Sequence, residues 1–436
     1  MGLGAGVRQL HHRPGARAKR LVLSTRSCTT SAFSAAAEAW AFAAFKAGLA
    51  DFGVAAGETE DVALTSRDLK TWRRALVEQR SKPFGPPCPA STRFCMRLFL
   101  SLASMFAWAL MTTASHGATP GDYVFQGDID LGGPGFWDYS SFDAAGHRLC
   151  VAHVDKISVV DVGAGKLAGA VGPIDEAHGT AIVPGLGKGF ASSGGDGVVK
   201  VFDTGDLRVI KTIAVGKDAD GVIWDLATKS VIVMVGEAKQ IAIIDPASDT
   251  VARTVALPDG PEFGAIDGMG KLFVNLAASA KLARIDIASG RLEAAWPLTG
   301  CKPPHGLAYD PRTRRLFSGC SNKVLIVVDP ATGRNVASVP IGAYGDAVAV
   351  DSARGRVFSP KGEGTLTVIQ ERPNDSYGVV RTIPTFIGAR SMAVDPASGG
   401  LYLVHGETKI KGGLPNPLAL RFGWDNARIA VFTPND

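Results

Sequence analysis

The stretch 325–342, LIVVDPATGRNVASVPIG, decides how the chain is read. LIVVD is a short β-branched run ending in an acid, DPATGR is turn chemistry, and NVASVPIG is a second strand-like run. The same strand ending recurs as ISVVD (157–161), VKVFD (199–203), IAIID (241–245), LARID (282–286), LTVIQ (366–370) and IAVFT (429–433). All but the last follow one another at a period of about 42 residues.

A second register runs beside the first. Each repeat begins with its own strand: YSSFD (139–143), GTAIV (179–183), GVIWD (221–225), FGAID (263–267), GLAYD (306–310), AVAVD (347–351) and SMAVD (391–395). Four short strands per period with Gly, Asp and Pro turns predict an all-β, seven-bladed β-propeller. The predicted blades are 136–175, 176–218, 219–259, 260–300, 301–342, 343–388 and 389 to the C-terminal run, and the propeller domain as a whole is 119–436.

The seventh blade lacks one strand, and YVFQGDIDLG (123–132) resembles the outer strands VIKTIAVG (209–216) and NVASVPIG (335–342). It is expected to pair with the C-terminal strand and close the last blade, leaving no open sheet edge. The last period is stretched by HGETKIKGGLPNPLALRFGWDNAR (405–428), between the second and third strands of blade seven. Long loops in compact domains are often functional, and this one carries Leu418, Leu420, Phe422 and Trp424. The alternative is a flap that covers its own blade.

The residue before each innermost strand is Asp138, His178, Asp220, Glu262, His305, Asp346 and Arg390, one per blade and all polar. In register these seven form a ring at one end of the central channel, suited to a polar ligand or a protein partner. His178, Asp220, Glu262 and His305, from four consecutive blades, form an arc of N and O donors suited to a divalent metal such as zinc. A structural, water-holding ring is the third reading. Arg390 is expected to pair with Asp138 or Asp346, its neighbours in ring order. The acids Asp143, Asp225, Asp267, Asp310, Asp351 and Asp395 read as turn residues, as in DPRTRR and DPASGG.

Composition is globular, with 46% hydrophobic and 20% charged residues and a formal net charge of +5. Residues 1–95 carry 14 Lys and Arg against 7 Asp and Glu, which leaves 32 against 34 for the rest. The folded part therefore lacks a basic footprint for nucleic acid. Met-Arg at 96–97, the apolar run LFLSLASMFAWALM (98–111) and TTASHGA (112–118) read as a secretory signal peptide at 96–118. Translation is then expected to start at Met96, with 1–95 a poorly ordered extension in which 61–80 has a helical pattern. The rival is a cytoplasmic segment before an uncleaved anchor, for which the apolar run is short. The expected location is periplasmic or secreted, as a monomer with no membrane span in the mature protein.

An oxidising compartment permits a disulfide. Cys301 precedes the first strand of blade five and Cys320 ends the second, so a hairpin brings them to one end; Cys301–Cys320 is the expected bridge, two free thiols the alternative, and Cys150 is expected to be buried. SSGGDG (192–197) lies between strands and reads as a hairpin turn rather than a phosphate loop. No serine-hydrolase elbow, zinc-helix motif or dinucleotide fingerprint occurs in the propeller.

VDPATGRNVASVPIG (328–342), GLAYDPRTRRLFSGCSN (306–322) and SMAVDPASGGLYLV (391–404) resemble the YVTN β-propeller repeat family, including its secreted bacterial YncE-like members. The resemblance covers roughly 123–436 and implies a secreted or periplasmic propeller. Gln370 and Thr433 depart from the pattern, as does the 405–428 insertion. Three functions follow as expectations: capture of a small polar ligand or envelope protein at the channel face, a metal-assisted hydrolase or lactonase using the ring, or an envelope scaffold.

Overall fold

The computed structural model describes residues 122–133, 136–408 and 424–435. The extension 1–95 and the signal-peptide reading at 96–118 lie outside the described residues, as do Leu418, Leu420 and Phe422 of the insertion. The described part is all-β: 28 strands, β1 to β28 in chain order, arranged as seven four-stranded antiparallel sheets. This is a seven-bladed β-propeller. No helix of the described residues is long and apolar enough to cross a membrane.

Blades one to six each use four consecutive strands. The innermost strands of blades one to five are β2 (Trp137–Asp143), β6 (Ala177–Val183), β10 (Ala219–Asp225), β14 (Pro261–Ile266) and β18 (Pro304–Asp310). In blades six and seven they shorten to β22 (Ala349–Asp351) and β26 (Met392–Val394). The ring residues of blades one to five thus lie one position inside the strand, whereas Asp346 and Arg390 precede theirs.

Blade seven is completed from the other end of the chain. Its order is β26, β27 (Leu401–Thr408), β28 (Trp424–Asn435) and then β1 (Asp122–Asp130). β1 runs antiparallel to β28 from Asp122↔Asn435 to Asp130↔Arg428, with a bulge between Phe125 and Gly127. Phe125 packs on Phe432 and Phe386, and Arg381 of blade six pairs with Asp122.

Burial follows position in the blade. The second strand of blade three, Ser230–Val235 (SVIVMV), is buried at every residue after the first, because neighbouring blades cover both of its faces. The fourth strand, Val209–Ala214 in blade two, is exposed except at Ile213. The core therefore lies between blades rather than on the axis. Seven apolar clusters are present among the described residues, and each draws on two adjacent blades: Phe190 and Val201 meet Val231 and Val233, and Ile129 and Tyr402 meet Trp137 and Leu149.

Cys301 and Cys320 are joined in a disulfide, with their Cα atoms 5.4 Å apart, at the ring end of blade five. Cys150 is a buried free thiol whose pKa burial pushes up to about 12.

Removing 122–130 strips the last blade of its outer strand and exposes the edge of β28. Such a chain is expected to lose cooperative thermal unfolding; a transition unchanged from the full chain would show that closure by β1 is dispensable. Replacing Cys301 and Cys320 together by Ser opens a loop of sequence separation 19. Denaturant titration should show a loss of about 3 kcal/mol by the chain-entropy relation.

Candidate functional site

A repeated backbone device positions the ring. In each of blades one to five the innermost strand carries one extra residue relative to its partner: the register skips between Trp137 and Ser140, Ala177 and Thr180, Ala219 and Val222, Pro261 and Gly264, and Pro304 and Leu307. Asp138, His178, Asp220, Glu262 and His305 all fall inside these bulges. A bulge releases its residue from the alternation of the strand and re-aims the side chain. Blades six and seven reach the same end without a bulge, the backbone N–H groups of Asp346 and Ala347 donating to the Arg390 carbonyl at 3.2 and 3.1 Å.

Three groups result. Asp138, His178 and Asp220 come together, with one donor atom from each within 4.8 Å of the others. His178 Nδ1 is 2.7 Å from Asp138 Oδ2 and 3.7 Å from Asp220 Oδ1. His305 Nδ1 is 3.6 Å from Glu262 Oε2. Arg390 pairs with Asp346, donates to the Trp137 carbonyl at 3.1 Å and lies over the Phe136 ring. The arc of His178, Asp220, Glu262 and His305 is accordingly split. Asp138 takes the place beside His178, while Glu262 and His305 form their own pair.

Four carboxylates confront two imidazoles and one guanidinium, and the protonation states reflect the crowding. Burial would lower the His178 pKa, but the hydrogen bond and charge of Asp138, helped by Asp220, raise it to about 9. Burial pushes Asp220 well above the usual carboxylate range, the charge of Asp138 adds to this, and His178 opposes it. Glu262 raises His305, and burial raises Asp346 against the pull of Arg390. The side chains of His178 and Asp220 nevertheless remain 19% exposed. They are largely sunk in protein yet not sealed from solvent.

Beneath the ring the channel is obstructed. Tyr139 and Phe263 follow Asp138 and Glu262 in blades one and four, and their rings meet across the axis at 4.5 Å. The Tyr139 phenol is held protonated, first by burial and then by the charges of Asp220, Asp138, Glu262 and Asp346. In blade five the equivalent residue is Gly306, where a Cβ would lie 2.6 Å from the backbone of Ala347. Below the aromatic pair, Phe142, Ile182, Ile223 and Trp224 line an apolar cavity of about 580 Å³.

The strand-end acids serve turns. Asp143 accepts from the Gly146 N–H, Asp225 from Thr228, Asp310 from Arg312, Asp351 from Arg354 and Asp395 from Ala397. At the ring end of blade seven, β27 and β28 pair as far as Thr408↔Trp424, so the outer parts of the 405–428 insertion are strand. Its residues 409–423 lie outside the described residues.

One residue missed in the sequence is Lys361, the last of the second strand of blade six, Arg356–Lys361. It is 1% exposed, and burial lowers its pKa to about 8 against the charges of Asp346 and Glu363. Tyr139 and Phe263 were also missed as a plug, although they stand where three other blades have Gly179, Gly221 and Gly306.

No family model matches the sequence, and no curated protein sequence matches it. Among solved structures, a chain of Kuenenia stuttgartiensis hydrazine synthase is similar, with a TM-score of 0.54 and 19% identity, over 64% of this chain and 94% of that one. At that identity the likeness shows a shared fold alone.

The raised His178 pKa fixes a pH dependence. A folded-state value of about 9 against about 6.5 unfolded means that the contribution is fully present below pH 6.5 and is lost as pH rises through 9. The stability advantage of the native chain over His178→Gln should therefore shrink between pH 6.5 and 9.5 in thermal unfolding. In Asp138→Asn the imidazole resonances of His178 should titrate at lower pH than in the native chain; an unchanged midpoint would show that Asp138 does not hold the proton.

Proposed function

We propose that the ring face of the propeller binds a small polar ligand bearing positive charge, an amine or a divalent cation, at Asp138, His178 and Asp220. The observation that carries this reading is the excess of carboxylate at the mouth. Asp138 and Asp220 flank a single imidazole, and after burial the repulsion between them, only partly opposed by His178, contributes to the upward shift at Asp220. A cation seated there would stabilise both carboxylates as anions. His178 and Asp220 remain partly exposed, while the rings of Tyr139 and Phe263 meet behind them. The Cys301–Cys320 disulfide and the basic-apolar-small pattern at 96–118 support a periplasmic or secreted location.

A second reading is metal-assisted hydrolysis, favoured by the chemistry of the donor set. One imidazole and two carboxylates are suited to a divalent metal that retains an open position for water. Asp138, His178 and Asp220 would hold the ion, and the ion would activate water for attack on an ester or lactone. His178 must lose its proton to ligate through nitrogen, so affinity should increase as pH approaches 9.

Calorimetric titration with zinc, manganese and a short diamine tests both readings. The expected result is binding to the native chain and at least a tenfold loss in Asp220→Asn and Asp138→Asn, with metal affinity higher at pH 8.5 than at pH 6.5. No heat with any of these probes would overturn the cation site. Binding of the diamine but not of the metals would exclude the hydrolase reading.

A further inference from the structure

The acid at the end of the third strand is displaced in blade six. Blades one to five end that strand in Asp161, Asp203, Asp245, Asp286 and Asp329, all partly exposed and each accepting an N–H from its own turn. In blade six Gln370 has that position and donates to the carbonyls of Arg354 and Gly355, and the acid comes one residue later, at Glu371. A one-residue step along a strand moves a side chain to the opposite face of the sheet. Glu371 is accordingly turned into the junction with blade five, where its side chain is 1% exposed.

There it meets Asp310, the acid that ends β18, whose side chain is fully buried. The two carboxyl groups hydrogen-bond to each other. Thr313 Oγ1 lies 2.8 Å from Glu371 Oε2 and 3.3 Å from Asp310 Oδ2, and Arg312 Nη2 lies 3.3 Å from Glu371 Oε1 and 3.4 Å from Asp310 Oδ2. Asp310 Oδ1 is served separately, by the Arg312 N–H at 2.8 Å and the Ser352 hydroxyl at 2.7 Å. A hydrogen bond between two carboxyl groups needs a proton on one of them, because an ionised pair offers acceptors only. The other charged side chains on the elements packed here are paired elsewhere or exposed. Arg315 pairs with Asp375, which also accepts from the Tyr377 phenol, Arg354 pairs with Asp351, Arg356 lies over the Tyr123 ring, and Arg314 and Arg372 are exposed. Arg312, itself half-exposed, is the cation at the pair among the described residues.

We propose that Asp310 and Glu371 share a single proton across the junction of blades five and six, and that loss of this proton loosens the junction. The fold thereby contains a pH-sensitive latch at the end of the blades away from the ring, independent of any ligand bound there. With the proton in place, one negative charge faces Arg312 and the two acids are bonded. Without it, two buried like charges face each other beside one half-exposed cation, which burial and repulsion both disfavour. Burial and the contact with Asp310 raise the Glu371 pKa to about 7. Burial works against the same change at Asp310, but hydrogen bonds from Glu371, Ser352 and Arg312 lower its pKa. Glu371 therefore contributes stability that is fully present below its unfolded value of about 4.3 and is lost as pH rises through 7.

The test follows the side-chain carboxyl carbons of the full chain, labelled at glutamate, by NMR between pH 5 and 8.5. The expected result is one resonance with a midpoint near 7, missing in Glu371→Gln and moved to lower pH in Asp310→Asn. The Glu371 amide, which donates to the Gly355 carbonyl, should exchange at least ~10-fold faster at pH 8.5 than its intrinsic pH dependence requires. Gln donates to Asp310 at every pH, so Glu371→Gln should match the native chain near pH 5 and unfold about 2–5 °C above it near pH 8.5. If every glutamate carbon titrates below about pH 5.5, no proton is shared and the proposal falls. A shared proton whose loss leaves exchange at Glu371 unchanged overturns the latch. Should Asp310→Asn fail to fold, the native chain and Glu371→Gln still decide between these outcomes.

Discussion

The pairing of β1 with β28 is the constraint on which the rest of the molecule depends. A propeller blade buries its two middle strands only when a neighbour covers each face, so every blade needs two others and the circle must close. Here closure joins the two ends of the domain through backbone hydrogen bonds from Asp122↔Asn435 to Asp130↔Arg428. The seventh apolar cluster, in which Ile129 and Leu131 meet Trp137 and Leu149, exists only in the closed form. Without it the edge of β28 is open, and blades one and seven each lose a covered face.

Packing of successive blades creates the electrostatics of the channel. Each ring residue comes from a different blade, and in the open chain these groups are separated by about 40 residues. In the packed blades Asp138 and Asp220 are brought to the same imidazole, and Asp346 to Arg390. The pairing is uneven: the cationic partners neutralise part of the carboxylate charge and leave the rest to be relieved by protonation. The raised values at His178 and Asp220 are two expressions of this imbalance. The bulges matter because they turn Asp138, His178, Asp220, Glu262 and His305 out of the strand alternation, so that five blades direct polar groups to one mouth.

The candidate site was partly legible. The seven ring positions could be read because they hold the same place in each repeat, and repetition turns spacing into position. Partners could not be read. His178 faces both neighbouring blades, and whether it joins Asp138, Asp220 or both depends on side-chain reach. Lys361 escaped notice because a lysine near a glycine-rich turn, in SPKGEG, looks like any solvated residue until Gly345 is seen to make room for its stem. Tyr139 and Phe263 look like ordinary strand residues until blades one and four are placed across the axis from each other.

The sequence by itself determined the all-β class, the seven repeats, the closing strand and the identity of the residues at one end of the channel. These follow from local periodicity and turn chemistry, which act over a few residues and recur at fixed spacing. Only the tertiary structure decided which ring residues touch, which carboxylates are crowded enough to hold protons, where the axis is blocked and which lysine is buried. Those properties depend on distances between blades and on exclusion of water, neither of which exists until the blades pack against one another.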